Sequence, residues 1–242
     1  MLRFELQDPS YTFGSHQHMS CDFPISTKND IKMPLLNRSH AALIIGPPGS
    51  GKSSFLASLF QKNPRIYKKA FHDIIYCCPS SSRHSQTDHP FNDIPESDVY
   101  DSFDGFDVLS KVEDNRKSYG DKHYSQLLVI DDCSASLKAN EGYLVHLLLN
   151  RRHLNLSIFI CSQYLVHVPL SIRTNIDYVV LFRLSARELE KIREEFSQLN
   201  REQWRQLVQF VWGNKKGRSH EYLAIHHDND LYFKGMQQID IK

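Results

Sequence analysis

The octapeptide GPPGSGKS at 46–53 places glycines at 46, 49 and 51 and ends in Lys52 and Ser53, the spacing GxxxxGK[ST]. Residues of these types can curl the backbone so that consecutive N–H groups point at phosphate oxygens. A helix starting at the end of the loop adds its positive terminus. The predicted cradle is Gly46, Pro47, Pro48, Gly49, Ser50, Gly51, Lys52, Ser53 and Ser54. Lys52 would reach the outer phosphates and the Ser53 hydroxyl would ligate magnesium, so the implied cofactors are ATP and Mg2+. The setting fits, because the loop follows the apolar run AALII and precedes the helical SSFLASLFQK.

A second constellation is LLVIDD at 127–132. An apolar strand here delivers two carboxylates to its C-terminal end, the edge at which open α/β sheets bind ligands. Asp131 is placed to hold the magnesium shell, and Asp132 to polarise an attacking water. The alternative for Asp132 is a cap on the turn that Asp-Cys-Ser-Ala-Ser begins.

The third is NRRHLNLSIFICSQ at 150–163. If its apolar core lies beside LLVIDD, Gln163 emerges at the same edge, where a neutral amide can bond both a phosphate oxygen and a water. Arg151 and Arg152 then lie at the opposite end, on the order of 30 Å or more away at the rise of a strand. Arg152 cannot serve its own subunit's nucleotide, but in a head-to-tail ring it can enter a neighbour's site as a trans-acting arginine. Arg173, in PLSIRTN, is the rival for that role. The plainer reading makes Arg151 and Arg152 the basic last turn of a helix, favourable to its dipole.

These groups need a frame. Compact runs at 41–46, 73–79, 127–132, 156–163 and 178–184 read as parallel strands covered on both faces. Helical stretches SSFLASLFQK, GYLVHLLLNRRH and SARELEKIREEFSQL alternate with them, and HEYLAIHH with DLYFKG reads as a C-terminal β-hairpin about Asp228-Asn229. The predicted fold is α/β, a P-loop NTPase with a mainly parallel central sheet flanked by helices. Residues 1–40 read as an N-terminal arm or irregular lead-in with room for a short strand, and 41–242 as one ATPase domain. The segment 84–110 has seven acidic residues and no Lys or Arg, and reads as a solvated loop with a short strand.

Composition narrows the partners. With 29 basic and 28 acidic residues, any nucleic-acid contact must come from local clusters. The candidates are Arg65, Lys68 and Lys69, and then Lys215, Lys216 and Arg218 in WGNKKGRSH, all equally readable as solvated loops. Aromatics are not interleaved with them, so the expected mode is contact to the backbone of a duplex. Five cysteines without CxxC spacing read as buried thiols in a reducing compartment, and thirteen histidines lack ligand spacing for zinc. No run of about 18 apolar residues and no secretory leader is visible, so neither a membrane span nor export is expected.

Together GPPGSGKSSF, IIYCCPS, LLVIDDCSASL, NRRHLNLSIFICSQYLVHVPLSIRTNID and VVLFRLS resemble the genome-packaging ATPases of poxviruses, giant DNA viruses and their smaller relatives. These belong among the FtsK/HerA-like P-loop motors, and the resemblance covers roughly residues 40–235. It implies a homo-oligomeric ring, pentamer or hexamer, that drives double-stranded DNA into a preformed capsid. The partners would be the DNA and capsid or portal vertex proteins. The place would be the host cytoplasm, the viral assembly site or the virion. Carried over, Lys52 and Ser53 take the phosphate-loop positions, Asp131 and Asp132 the acidic pair, Gln163 the sensor and Arg152 the trans-acting arginine. Asn-Arg-Arg-His stands where members often have a glycine before Arg-His, which leaves open which arginine acts. Little chain follows the hairpin, so packaging without cutting is the expectation. A cellular-type motor of the same superfamily and a nucleotide-gated scaffold without turnover are the alternatives.

Overall fold

The computed structural model describes residues 4–6, 25, 31–60, 66–67, 69–83, 90–119, 124–213 and 220–241. Its strands are β1 (Phe4–Leu6), β2 (Ala41–Ile45), β3 (Asp73–Cys77), β4 (Val99–Tyr100), β5 (Gln126–Asp131), β6 (Leu156–Ser162), β7 (Tyr178–Phe182), β8 (Tyr222–His226), β9 (Leu231–Lys234) and β10 (Gln237–Ile241). They form one sheet in the order β1-β10-β9-β8-β7-β2-β6-β5-β3-β4. The six strands from β7 to β4 are parallel, and β8, β9, β10 and β1 extend the sheet antiparallel. All five apolar runs are parallel strands, and β2, β5, β6 and β7 are buried along their whole length, as strands covered on both faces must be.

The helices are α1 (Lys52–Phe60), α2 (Ser80–Arg83), α3 (Gly105–Tyr119), α4 (Ser134–Ala139), α5 (Glu141–Asn150), α6 (Leu170–Arg173), α7 (Ala186–Phe196) and α8 (Arg201–Trp212). On one face α1 buries Phe55, Leu56, Leu59 and Phe60 against Ala42, Ile44, Val129 and Phe159. On the other, α3 to α8 bury Val108, Leu137, Leu144, Ile172, Ile192 and Trp204 against Leu43, Leu128, Ile158 and Val179. Alternate residues of each strand serve opposite faces, so the two clusters interleave in sequence and separate in space.

Several expectations need correction. The acidic segment is not loop throughout: Asp104 accepts from the N–H groups of Phe106 and Asp107 and so starts α3, while Asp98 is buried and paired with Lys111. The hairpin is the first part of a three-strand meander, β8-β9-β10, and β1 pairs along its outer strand. Helix α8 went unread although Asn200 and Gln203 form a capping box and Trp204, Leu207 and Val211 recur at helical spacing. Helix α5 stops at Asn150, and residues 151–155 are a turn closed by Asn155 at φ 47°. Strand β6 is therefore shorter than the quoted stretch, and its seven residues span about 20 Å of the separation first taken as 30 Å.

Candidate active site

Strand β6 runs between β2 and β5, in register Ile45↔Ser162 and Asp131↔Cys161. Three adjacent parallel strands thus bring the glycine loop, Gln163 and the Asp131–Asp132 pair to one edge. The loop is tight. A Cβ at Gly46 would meet Ser50 Oγ at 2.5 Å and Phe182 Cβ at 2.8 Å, and Gly49 and Gly51 hold φ values of 70° and 108°, where side chains are strained. Lys52 Nζ donates to the carbonyls of Gly46 (2.6 Å) and Pro47 (3.3 Å), so its ammonium lies inside the curl. Ser53 is half-buried in the first turn of α1, Ser54 is exposed, and the N–H groups of such a turn have no acceptor within their own helix. Ser50 Oγ is buried without a partner.

Asp131 is buried, and desolvation lifts its carboxyl to about 6, with the Lys52 ammonium working against the rise. A buried carboxyl held near a cation and a serine hydroxyl is a fair donor set for a hard cation such as Mg2+. That ion takes few protein ligands and keeps phosphate and water oxygens for the rest. Among the described residues no group of three or more His, Cys, Asp or Glu could hold a metal by itself. The thiols of Cys78 and Cys133 are pushed up by burial to about 11 and about 12, which removes them as nucleophiles near neutral pH.

Asp132 is exposed and sits in the left-handed region at φ 55°. Helix α4 has Cys133 at its N-cap with no side-chain cap bond. The Asp132 carboxylate is engaged instead by Gln163 Nε2 (3.0 Å to Oδ1) and Ser82 Oγ (3.3 Å to Oδ2). Ser82, from α2 at the end of β3, was missed because nothing in SSSRH marks one serine over its neighbours. His220 was missed too. Its Nδ1 meets the Ser50 carbonyl at 3.0 Å across 170 residues of sequence, a contact no spacing encodes.

The arginines separate. Arg151 is held inside its own fold, with Nη2 on Asp177 Oδ1 (2.7 Å) and Nη1 on the Leu148 carbonyl (2.8 Å). Asp177 also accepts from the Ala41 N–H at 2.6 Å, so the pair ties the end of α5 to the starts of β2 and β7. Arg173 is paired with Glu195 of α7. Arg152 is exposed on the turn after α5, at the end of β6 opposite Gln163. Of the basic candidates, Lys69 is exposed with φ 59°, whereas Arg65, Lys68, Lys215, Lys216 and Arg218 lie outside the described residues. No helix among the described residues is long and apolar enough to cross a membrane.

Comparison with known proteins places the chain among viral relatives. Vaccinia virus DNA packaging protein OPG160 is 31% identical over 172 residues, covering 69% of this chain and 60% of that protein. The uncharacterized protein 015R of Frog virus 3 is 29% identical over 146 residues, covering 58% and 43%. The chain therefore spans about half the length of the curated relatives it matches. Among solved structures, the genome packaging NTPase B204 of Sulfolobus turreted icosahedral virus 2, in complex with ATP-gammaS, superposes with a TM-score of 0.55 at 16% identity, covering 81% of this chain and 96% of that one. EssC (ATPases 2 and 3) of Geobacillus thermodenitrificans gives 0.52 at 13% identity, covering 97% and 47%. At such identities the likeness shows a common P-loop ATPase fold. A sequence profile described as Poxvirus A32 protein matches residues 29–239, and the chain belongs to that family.

Proposed function

We propose that this protein is a magnesium-dependent ATPase that moves double-stranded DNA into a viral capsid as a homo-oligomeric ring. The carrying observation is the convergence of Lys52, Asp131, Asp132 and Gln163 at the ends of three adjacent parallel strands. The family, and relatives such as the vaccinia virus DNA packaging protein, support the packaging task.

In this reading the γ-phosphate replaces the carbonyls that Lys52 now holds. Ser53 and Asp131 would hold a magnesium ion, which would supply positive charge to the phosphate oxygens. Gln163 orients a water, and Asp132 accepts its proton as the water oxygen bonds to phosphorus and the bond to the β-γ bridging oxygen breaks. Fixed to Gln163, the Asp132 carboxylate needs no reorganisation for that task. Arg152 enters from the adjacent copy, since its position on the far side of β6 puts it out of reach of its own site. Arg173 remains the rival for that role, set back by its pairing with Glu195. Duplex backbone contact at Lys215, Lys216 and Arg218, and docking on capsid or portal proteins at the assembly site, complete the proposal. The test is phosphate release with and without duplex DNA, combined with the mass of the assembly. Turnover raised by DNA in a closed oligomer is expected, and a monomer hydrolysing at a DNA-independent rate would contradict it.

A further inference from the structure

The imidazole of His220 lies against the glycine loop, from the segment that leads into β8, a strand that carries none of the residues assigned above. Its Nδ1 meets the Ser50 carbonyl at 3.0 Å, and a Cβ on Gly51 would stand 3.0 Å from the same atom. The chain next to His220 is anchored in the framework independently of any ligand. The buried Trp212 donates its indole N–H to the carbonyl of Glu221 (2.9 Å), and Tyr222 is in register with Phe182, whose side chain touches the Gly46 position. Helix α1 opens with Phe55 N–H on the Gly51 carbonyl, so the Ser50 carbonyl lies one residue before that first helical bond.

A trans peptide points its C=O and the following N–H in opposite directions. Holding the Ser50 carbonyl on His220 therefore turns the Gly51 N–H away from His220. The φ of 108° at Gly51 leaves that peptide little intrinsic preference for this orientation. We propose that His220 is a positioning residue for the phosphate loop: its N–H pins the Ser50–Gly51 peptide so that the Gly51 N–H is aimed at a phosphate oxygen before nucleotide arrives. Preorganisation of this kind lowers the cost of binding and leaves the chemical step alone. The inference rests on the ATP-binding reading of the loop.

The test measures ATP and inorganic tripolyphosphate binding by calorimetry, with magnesium, on full-length wild type, His220→Ala and His220→Asn, alongside thermal unfolding and turnover at saturating ATP. Asparagine carries an N–H close to the Nδ1 position. His220→Ala is expected to weaken both ligands by roughly three- to ten-fold, the size of one neutral hydrogen bond, with saturated turnover nearly unchanged. His220→Asn is expected to restore most of that loss. Unchanged binding in His220→Ala, a folded His220→Asn as weak as His220→Ala, or a loss for ATP without one for tripolyphosphate would overturn the proposal. A wild type that binds neither ligand removes the ATP reading and this inference together, whereas normal wild-type binding with no alanine effect removes this inference alone.

Discussion

The Gln163 amide donates to the Asp132 carboxylate over 3.0 Å, joining the ends of β6 and β5 at the edge of the sheet that carries the glycine loop. Asp132 reaches this bond from a left-handed backbone at φ 55°, a conformation that costs a side-chain-bearing residue about 1 kcal/mol and that is kept where the surroundings over-determine it.

Asparagine tolerates the same backbone as aspartate, so Asp132→Asn isolates the charge from the fold. Phosphate release should fall by about 10² to 10⁴, as expected for loss of a general base, with nucleotide binding retained. Ser82→Ala removes the 3.3 Å contact to Asp132 and should lower turnover several-fold at most. A steady-state phosphate assay paired with nucleotide titration checks both. Full activity in Asp132→Asn would reject the base assignment.

The two neighbouring arginines should divide between stability and turnover. Arg151→Ala strands a nearly buried Asp177 and should cost about 3–5 kcal/mol in urea unfolding. Arg152→Ala, on an exposed turn, should stay within about 0.5 kcal/mol of wild type, yet lose turnover by about 10³ or more. Reversal of the two profiles would exchange their roles.

Acid should loosen the base of the sheet. His40 is fully buried, stacks among Tyr67, Phe159 and Tyr178, and donates its Nδ1–H to the Arg38 carbonyl, while its Nε2 is buried without a partner. Burial depresses its pKa to about 4. The unfolded chain therefore binds the proton first, and stability is complete above the ordinary histidine value near 6.5. It is lost as pH falls from there towards 4, by on the order of 3 kcal/mol. His226, shifted the same way by burial, adds to the loss. Unfolding midpoints measured between pH 7 and 4 should fall less in His40→Phe than in wild type, and parallel curves would refute the assignment.

The parallel half of the sheet was legible because strands buried on both faces are written as unbroken apolar runs, and GPPGSGKS, LLVIDD and Gln163 stand at their ends. Helix α3 was hidden by its own polarity. Of its fifteen residues only Gly105, Val108 and Val112 are buried, too few to show a stripe among the charges. Strand β10, QQIDI, is half-exposed and reads as coil until its neighbour is known. The contacts of Ser82 and His220 depend on segments distant in sequence, which no local pattern reports. The reverse holds for Arg151: its sequence neighbour Arg152 is preferred as the trans-acting arginine with the choice left open, and the closeness of Asp177 is what holds Arg151 inside its own fold.

The central claim is that each hydrolytic site is built from two copies, one giving the cradle and the carboxylates, the next giving Arg152. It is tested most directly by mixing two variants that are each inactive alone, Asp132→Asn and Arg152→Ala, and measuring DNA-stimulated phosphate release after the subunits have exchanged. Where an Asp132→Asn chain lends its intact arginine to an Arg152→Ala neighbour, a complete site forms, so turnover should reappear in the mixture. A mixture as inactive as its two parents, with exchange demonstrated, would contradict the account.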